Sequence, residues 1–389
     1  MEKGRGAEQT HVLLIYRRMI PSIRLCGHSQ LEAMAREGKI LYRAAADARL
    51  SREDLAWAET VILGRLDSWY ELRLTRMLRR AGKRLIYMMD DDLLNIPPEV
   101  TSAGYYNQKS IQRCIREIIR LSGAVMSPSP LLLEKYARDG RKAILIQEPA
   151  VAPVPYAPRE AGKPVKIGFA GSADRTGELE RILGEALERI RQEYGGRVSF
   201  AFFGGKPSFA EKLGAECIPY TESYDRYRET LNALGWDIGL APMPETPFHA
   251  CKHYNKFVEY AAAGMAGIYS DVPPYDRLRD FPGCAMLCPN TAEAWTEAIR
   301  TLAEDREARE EMRRKAAECA RKELSPQTCG EQMLREIRRF GAGAQGGRFG
   351  LLPVYKAVNV FKRTATSLKG HGPAGFVKHA CRLLVKGKD

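Results

Sequence analysis

The sequence predicts an α/β fold built from two doubly wound parallel sheets, and three observations support that prediction. Short apolar runs alternate with helix-length amphipathic segments through residues 1–150. The alternation stops at a proline-rich stretch and starts again at residue 165. Strands that alternate with helices of these lengths are typical of parallel βα units. Two such series joined by one linker predict two Rossmann-like halves that face a cleft.

Residues 1–150 are predicted to form the first of these domains. Its apolar runs predict short buried strands at 11–16, 39–43, 60–64, 84–89, 123–127 and 143–147. Amphipathic spacing predicts helices at 66–81, 107–121 and 130–139.

Residues 151–164 are predicted to be an extended linker, because five prolines lie between Pro149 and Pro164 and proline cannot donate to a sheet. Residues 165–330 are predicted to form the second domain. Its strands are expected at 165–169, 198–203, 238–241 and 266–270, and its helices at 177–194, 224–235, 247–263 and 292–322. Residues 331–389 are predicted to form a returning helix and a basic tail.

Composition excludes several classes of protein. No apolar run approaches the ~20 residues of a membrane span, so we expect neither a signal peptide nor a membrane anchor. Nine cysteines lie scattered without paired CxxC units, which favours reduced thiols in a cytoplasm and argues against structural zinc. The net charge is +13, but residues 341–389 carry a net +8 and leave only +5 for the rest. Nucleic acid is therefore not expected as a partner.

Two glycine-containing segments suggest nucleotide binding, and only one has the right surroundings. Gly341 to Gly346 reads GAGAQG, a dinucleotide fingerprint, but no strand precedes it, and its composition predicts a flexible linker. Gly171 and Ser172 end a predicted strand just before a helix, where exposed amides and Arg175 suit an anion. A plain tight turn is the alternative there.

The next strand of the second domain ends in Gly204-Gly205. An NAD site has an acidic residue at that position, where it binds the ribose. The sequence therefore argues against an NAD-dependent oxidoreductase.

The segment from Thr246 to Gly264 is predicted to be one helix, with Thr246 as N-cap and proline at the first helical position. Four polar side chains share one stripe of that helix: His249, Lys252, Lys256 and Glu259. Two lysines four residues apart repel each other, and the helix dipole adds to that cost near the N-terminus. A bound diphosphate would turn both penalties into binding energy. A solvated face with a Lys256–Glu259 ion pair is the alternative.

This segment resembles the donor-binding core of bacterial GT-B glycosyltransferases, of the group 1 or family 4-like class used in cell-surface polysaccharide assembly. Those enzymes carry a run like PFxxxKxxxKxxEYxAxGxPxxxS. This sequence has the following residues of that run in register: Pro247-Phe248, Lys252, Lys256, Glu259-Tyr260, Gly264 and Ser270. The resemblance implies the GT-B architecture, a nucleotide-sugar substrate and no cofactor or metal. It covers about 330 residues in pattern.

The resemblance also implies roles for individual residues. Glu259 would bind the ribose, Lys252 and Lys256 would approach the diphosphate, and Gly171 with Ser172 would line the phosphate side. Tyr224 and the turn at Gly204 and Gly205 would lie near the base. Better-known members carry a second Glu eight residues before the ribose Glu, and Cys251 occupies that position here. This departure leaves open how the sugar is held and whether transfer retains configuration.

The same resemblance assigns the acceptor to the first domain. In IYMMDDDLLNIPPE a strand ends in three carboxylates. Asp90 or Asp91 would contact the sugar, orient the acceptor hydroxyl or act as base, and Asp92 would be a local cap. Two alternatives are a metal site at Asp90-x-Asp92 and a solvated acidic turn. His28 and Arg65 are candidates for acceptor contact.

Residues 351–386 look helical, basic and amphipathic, which suits an anionic membrane surface. A disordered tail and a helix packed on the body are the alternatives.

The sequence thus favours a metal-independent hexosyltransferase of the retaining type, cytoplasmic or peripheral on the inner face of the cell membrane. Its acceptor would be a saccharide or lipid-linked saccharide. The competing hypotheses are a catalytically silent GT-B-like scaffold, a nucleic-acid-binding protein and the NAD-dependent oxidoreductase.

Overall fold

The computed structural model of the chain describes residues 9–353, 355 and 356. Its first half contains a parallel six-stranded sheet with the order β2-β1-β3-β4-β5-β6. The strands are β1 (His11–Tyr16), β2 (Leu41–Ala46), β3 (Thr60–Gly64), β4 (Arg84–Met88), β5 (Ala124–Ser127) and β6 (Lys142–Leu145). The helices are α1 (Pro21–Ile23), α2 (Ser29–Arg36), α3 (Arg52–Trp57), α4 (Trp69–Arg80), α5 (Ala103–Tyr106), α6 (Lys109–Leu121) and α7 (Pro130–Tyr136), with a π-helical turn at Arg24–His28.

The second half contains another parallel six-stranded sheet, with the order β12-β11-β10-β7-β8-β9. Its strands are β7 (Val165–Gly171), β8 (Val198–Gly204), β9 (Glu216–Pro219), β10 (Ile238–Ala241), β11 (Ala266–Ser270) and β12 (Ala285–Cys288). The helices are α8 (Thr176–Tyr194), α9 (Tyr224–Leu234), α10 (Pro247–Ala250), α11 (Asn255–Ala262), α12 (Ala292–Glu304), α13 (Arg306–Lys322) and α14 (Pro326–Phe340). Short 3₁₀ turns lie at Ala173–Arg175, Gly195–Arg197 and Tyr275–Asp280.

The apolar strands form because both faces of each sheet are covered by helices. In β1, Val12 and Leu14 pack with α2 and α14 in one cluster, whereas Leu13 and Ile15 pack with α4 and α6 in another. Successive side chains of a strand point to opposite faces, so a strand buried on both sides reads as a continuous apolar run. The predicted fold class, two parallel α/β sheets, is therefore confirmed.

Two predictions about local structure are wrong, and two strands were not predicted. The helix predicted over 247–263 is interrupted between α10 and α11, where Tyr254 has a non-helical ψ of 48°. The helix predicted over 292–322 is two helices, since the Asp305 side chain accepts a hydrogen bond from the Ala308 amide and caps α13. Strands β9 and β12 lie at the two edges of the sheet, and their short, half-exposed runs gave no clear signal.

The stretch from Gly341 to Gly346 is also not the flexible linker that its composition predicts. The Ala344 amide donates to the Gly82 carbonyl at 3.0 Å, and the Gly346 amide donates to the Ala56 carbonyl at 2.7 Å. A Cβ at Gly343 would lie 2.4 Å from the Arg84 nitrogen, so glycine is needed for this close approach.

Two segments connect the halves. Residues 149–164 run from the first sheet to the second, and the Ala150 amide on the way donates to the Leu324 carbonyl. Helix α14 then crosses back, where Met333, Leu334 and Ile337 pack into the core of the first half. In the described part of the chain, no helix is long and apolar enough to cross a membrane. The predicted basic amphipathic tail over 351–386 lies almost entirely outside the described residues.

Candidate functional site

A cleft of about 250 Å³ lies where the carboxyl ends of the two sheets face each other. Its walls come from both halves of the chain. They are formed by Ser22, Asp90, Asp91, Glu148, Gly171, Ser172, Arg175, Met243, Lys252, His253, Asn255, Lys256, Glu259 and Tyr275. A second, enclosed cavity beside it has only about 20 Å³, which is room for about one water. Of these two neighbouring spaces, only the cleft has room for a ligand larger than a water molecule.

The order of the strands explains why these residues meet. In the second sheet the order reverses between β7 and β10, and Gly171 and Met243 lie at or just beyond their carboxyl ends. In the first sheet the reversal falls between β1 and β3, and Ser22 and Arg65 follow these strands. Such switch points leave a crevice in which ligands of open α/β sheets bind.

Gly171, Ser172 and Arg175 form the wall of the cleft in front of the 19-residue helix α8. The N-terminus of a helix carries partial positive charge and unpaired amides, which suit an anion. Arg175 lines the cleft, and its positive charge helps to lower the pKa values of Asp91 and Glu178.

Gly204 and Gly205 do not line the cleft; Gly204 supports the wall from behind. Gly204 pairs with Gly171 across β8 and β7 and has a φ of 99°, which favours glycine. A Cβ there would lie 2.4 Å from the Gly171 carbonyl oxygen. The pair of glycines thus lets the two strand ends approach closely, just where the chain turns into the loop before α8.

The break between α10 and α11 rearranges the predicted stripe of four polar residues. His253 and Tyr254 are buried in the break, and the Tyr254 hydroxyl donates to the Gln147 side chain. The chain is therefore not one continuous helix here, and Lys252 lies in the break. Of the four residues of the predicted stripe, Lys256 and Glu259 lie on α11.

His249 does not reach the cleft. Its Nε2 lies 2.9 Å from Glu178 and its Nδ1 lies 2.8 Å from the Thr246 hydroxyl. His28 is likewise outside the cleft walls, with its Nδ1 at 2.9 Å from the Tyr42 hydroxyl. Both histidines thus have local partners in the described structure.

An ion pair spans the cleft from one half of the chain to the other. The Lys252 ammonium donates to the Asp91 carboxylate at 2.8 Å. Burial alone would raise the pKa of Asp91, but the charges of Lys252 and Arg65 outweigh it and hold that pKa well below its usual range. Asp91 is therefore ionised at any ordinary pH and is a weak base in this state.

Arg65 holds the neighbouring carboxylate. Its guanidinium donates to Asp90 at 2.6 Å and to the Ser22 hydroxyl at 3.1 Å, and it lies 3.5 Å from Asp91. Arg65 has a φ of 50°, an uncommon conformation for a residue with a side chain. Strained backbone of this kind concentrates at functional sites, where the surrounding structure enforces it.

A second ion pair lies on the wall of the cleft that the second half forms. Lys256 donates to Glu259 at 2.6 Å and to the Tyr227 hydroxyl at 2.9 Å, and that hydroxyl donates to Glu259 at 2.7 Å. Burial lowers the pKa of Lys256, although the charge of Glu259 opposes the shift. The ring of Tyr224 stacks beside that of Tyr227, with the ring centroids 6.3 Å apart. Tyr224 borders the small cavity rather than the cleft.

Asp92 belongs to the frame of the first half and not to the cleft. It is buried, and it accepts hydrogen bonds from Lys135 at 2.9 Å, from Tyr136 and from Asn95. Asp90 and Asp92 therefore have separate partners. Among residues 9–353, no group of three or more His, Cys, Asp or Glu side chains is placed to hold a metal ion.

Several cleft residues were not expected from the sequence. Glu148 follows β6 at the start of the linker. The prolines of this stretch predict an extended linker and give no indication of a functional residue. Asn255 carries no motif and is placed by the break in the helix; Tyr227, which borders the small cavity, carries no motif either. Cys251, the departure from the family pattern, is buried with its thiol 3.2 Å from Lys135.

No protein-family model matches this chain, and the curated proteins give no match. Solved structures do match. Sucrose-phosphate synthase from Thermosynechococcus elongatus is 12% identical with a TM-score of 0.56, over 85% of this chain and 99% of that one. An α-glucosyltransferase in complex with UDP and a 13-mer DNA has the same identity and TM-score, over 85% of this chain and 100% of that one. The chain has the GT-B fold.

The name of a third similar structure describes a different kind of reaction. It is a candidate UDP-N-acetylglucosamine 2-epimerase from Listeria monocytogenes, 11% identical with a TM-score of 0.52, over 85% of this chain and 96% of that one. At such identities the likeness extends to the fold alone. The function has to be argued from the residues of the cleft.

Proposed function

We propose that the protein is a glycosyltransferase that moves a sugar from a nucleoside-diphosphate donor to a saccharide acceptor. The observation that carries this proposal is the composition of the two cleft walls. The second half presents Arg175, Lys252 and Lys256 in front of a long helix, and the first half presents Asp90 and Asp91 opposite them. A diphosphate suits the cationic wall, and a hydroxyl to be activated suits the acidic one.

Catalysis would consist mainly of stabilising the leaving diphosphate. As the bond from the sugar to the phosphate breaks, negative charge grows on the phosphate oxygens, which Arg175, Lys252 and the N-terminus of α8 would face. Glu259 would bind the ribose, and Tyr227 and Lys256 already hold its carboxylate in place. The donor sugar would then lie beside Asp90 and Asp91.

The ion pair between Lys252 and Asp91 makes donor binding and acceptor activation dependent on each other. A diphosphate that takes the Lys252 ammonium removes the largest charge that holds the pKa of Asp91 low. The pKa of Asp91 then rises, and the carboxylate becomes a better acceptor for the proton of the attacking hydroxyl. Arg65 keeps the carboxylate of Asp90 in place meanwhile.

Several finer features belong to this proposal. The acceptor is a saccharide or lipid-linked saccharide of cell-surface polysaccharide synthesis in a bacterium, and transfer is of a hexose, with retention and without a metal. The enzyme works in the cytoplasm, peripheral on the inner face of the membrane through residues 351–386. These features rest on the sequence resemblance described above and on the basic tail.

A thermal-shift titration tests the proposal. UDP-, GDP-, dTDP- and CDP-sugars are added to the wild type, Lys256→Ala, Glu259→Ala and the surface control Lys212→Ala, whose side chain is 77% exposed. One class of nucleotide sugar should stabilise the wild type and the control, by about 2.7 kcal/mol at a hundredfold excess over Kd. The two cleft variants should lose most of that shift. Stabilisation by no nucleotide sugar would refute the proposal.

Three further measurements on the same protein separate the competing hypotheses: nucleoside-diphosphate release, DNA binding and thermal stabilisation by NAD. Stabilisation without any release of nucleoside diphosphate, across a set of saccharide acceptors, would favour a silent scaffold. Binding to DNA that weakens steeply with salt would favour a nucleic-acid-binding protein. Stabilisation by NAD alone would favour an oxidoreductase, although the strand end at Gly204 lacks the ribose-binding acid.

A further inference from the structure

Glu148 is a buried carboxylic acid at the floor of the cleft, where the chain leaves the first sheet for the second. Its residue exposure is 1%, yet it borders both the cleft and the small enclosed cavity. Asn255 and Glu259 are the other residues that border both. Glu148 therefore lies between the two halves, beside the wall that we assign to the donor.

No cation compensates this carboxyl group in the described part of the chain. Its Oε1 accepts a hydrogen bond from the Cys26 thiol at 3.1 Å, and its Oε2 lies 3.9 Å from Nδ1 of His253. Burial lowers the pKa of His253 to about 3, so that imidazole is uncharged. No Lys or Arg of the described residues lies within ion-pair distance. A buried carboxylate without a cation is costly, and such a group keeps its proton instead.

The hydrogen bonds of His253 leave the proton of Glu148 without an acceptor. His253 Nδ1 lies 2.7 Å from Oδ1 of Asn255, and its Nε2 lies 3.3 Å from Nε2 of Gln147. Because an amide nitrogen donates and an amide oxygen accepts, the imidazole carries its hydrogen on Nδ1 and directs it at Asn255. With Oε1 taken by the thiol, the hydrogen of Glu148 is on Oε2 and is available to a ligand.

The carboxylates around Glu148 act in the same direction. Burial and then the charge of Asp90 raise the pKa of Glu148 to about 8, and Glu259 and Asp91 add to the shift, while the hydrogen bond from the Cys26 thiol opposes it. Tyr224 and Cys329 also face it, and Glu148 contributes to raising the pKa of each. Burial keeps the Cys26 side chain a thiol.

We propose that Glu148 is a donor-binding residue that meets the donor as the uncharged acid and donates a hydrogen bond to one of its diphosphate oxygens. This inference rests on the proposed function. An ionised Glu148 has no hydrogen to donate and would add a further negative charge beside Asp90, Asp91 and Glu259. The diphosphate in turn favours the protonated acid, because like charges in one site suppress ionisation. Donor affinity is therefore linked to the protonation of one carboxyl group.

Isothermal titration calorimetry between pH 6.5 and 9.5 tests this linkage. The ligand is the nucleotide sugar that stabilises the protein best, since its phosphates do not titrate in that range. For the wild type, Kd should rise with pH above about 8, by up to about tenfold per pH unit. Glu148→Gln, which keeps the shape and a hydrogen-bond donor, should bind at pH 7 within about threefold of the wild type and show no such rise. Cys26→Ser should keep the rise.

Each outcome has one meaning. A wild-type Kd that does not change between pH 6.5 and 9.5 would overturn the inference, as would a Glu148→Gln variant with the same rise as the wild type. Loss of the rise in Cys26→Ser would assign the titration to the thiol and also overturn it. If no nucleotide sugar binds at any pH, the proposed function itself fails. Unchanged circular dichroism and a single unfolding transition show that the variants are folded.

Discussion

The buried acid Glu148 should make the free energy of unfolding depend on pH, and Glu148→Gln should remove that dependence. The pKa of this group is raised from 4.5 to about 8 by burial and by the charge of Asp90. Between these two values the unfolded chain releases the proton and the folded chain keeps it. The folded state thus binds more protons, so stability falls as pH rises from about 4.5 to about 8.

The size of the effect follows from the two pKa values. Each pKa unit corresponds to about 1.4 kcal/mol, so the full shift is worth about 5 kcal/mol at most. Between pH 6 and pH 8 the wild type should lose about 2 kcal/mol of stability through this group. Glutamine does not ionise, and the variant should lose none of it. Comparing the variant with the wild type cancels the titration of the groups that do not interact with Glu148.

Urea unfolding at pH 6, 7 and 8, followed by circular dichroism, measures this difference. The stability of Glu148→Gln relative to the wild type should increase by about 2 kcal/mol from pH 6 to pH 8. The surface variant Glu297→Gln, whose parent side chain is 65% exposed, should show no such trend. A constant difference between wild type and Glu148→Gln across the three pH values would refute the protonation state that we assign.

Three further predictions concern the rest of the cleft. Lys252→Met should weaken nucleotide-sugar binding at least about tenfold, whereas Lys212→Met should not; calorimetry measures both, and equal affinities would contradict the placement of the diphosphate. Asp91→Asn should slow sugar transfer more than about tenfold in an assay of nucleoside-diphosphate release. Donor binding should become no weaker, because the partner Lys252 is then free. EDTA should not change the transfer rate of the wild type or of the variant. Gly204→Ala should lower the thermal unfolding midpoint by about 4 °C or more, since its Cβ would lie 2.4 Å from a carbonyl oxygen at a φ of 99°; an unchanged midpoint would show that the strand ends can move apart.

Much of the fold could be predicted because it follows from regular patterns. Both sheets are buried on two faces, so strands such as His11–Tyr16 and Ala266–Ser270 are unbroken apolar runs. Strand ends and turn residues can be recognised in the sequence alone, so Gly171, Ser172 and Arg175 could be placed at the cleft. Lys252 could be placed there from its spacing in the predicted polar stripe.

The rest of the site depends on contacts between distant residues. The break before α11 depends on Tyr254 reaching Gln147, more than a hundred positions earlier in the chain, while the local sequence fits a continuous helix. The turn of His249 toward Glu178 depends in the same way on α8. Glu148 keeps its proton because no Lys or Arg among the described residues lies within ion-pair distance of it, which only the folded structure shows.

The central claim is that the cleft binds a nucleoside-diphosphate sugar with its diphosphate against the second half. A crystal structure of the protein soaked with its stabilising nucleotide sugar tests this most directly. We predict phosphate oxygens at the Gly171–Ser172 amides and at Lys252, with the Lys252–Asp91 pair opened and the ribose hydroxyls on Glu259. A nucleotide sugar bound elsewhere, or with its diphosphate against Asp90, would contradict the account.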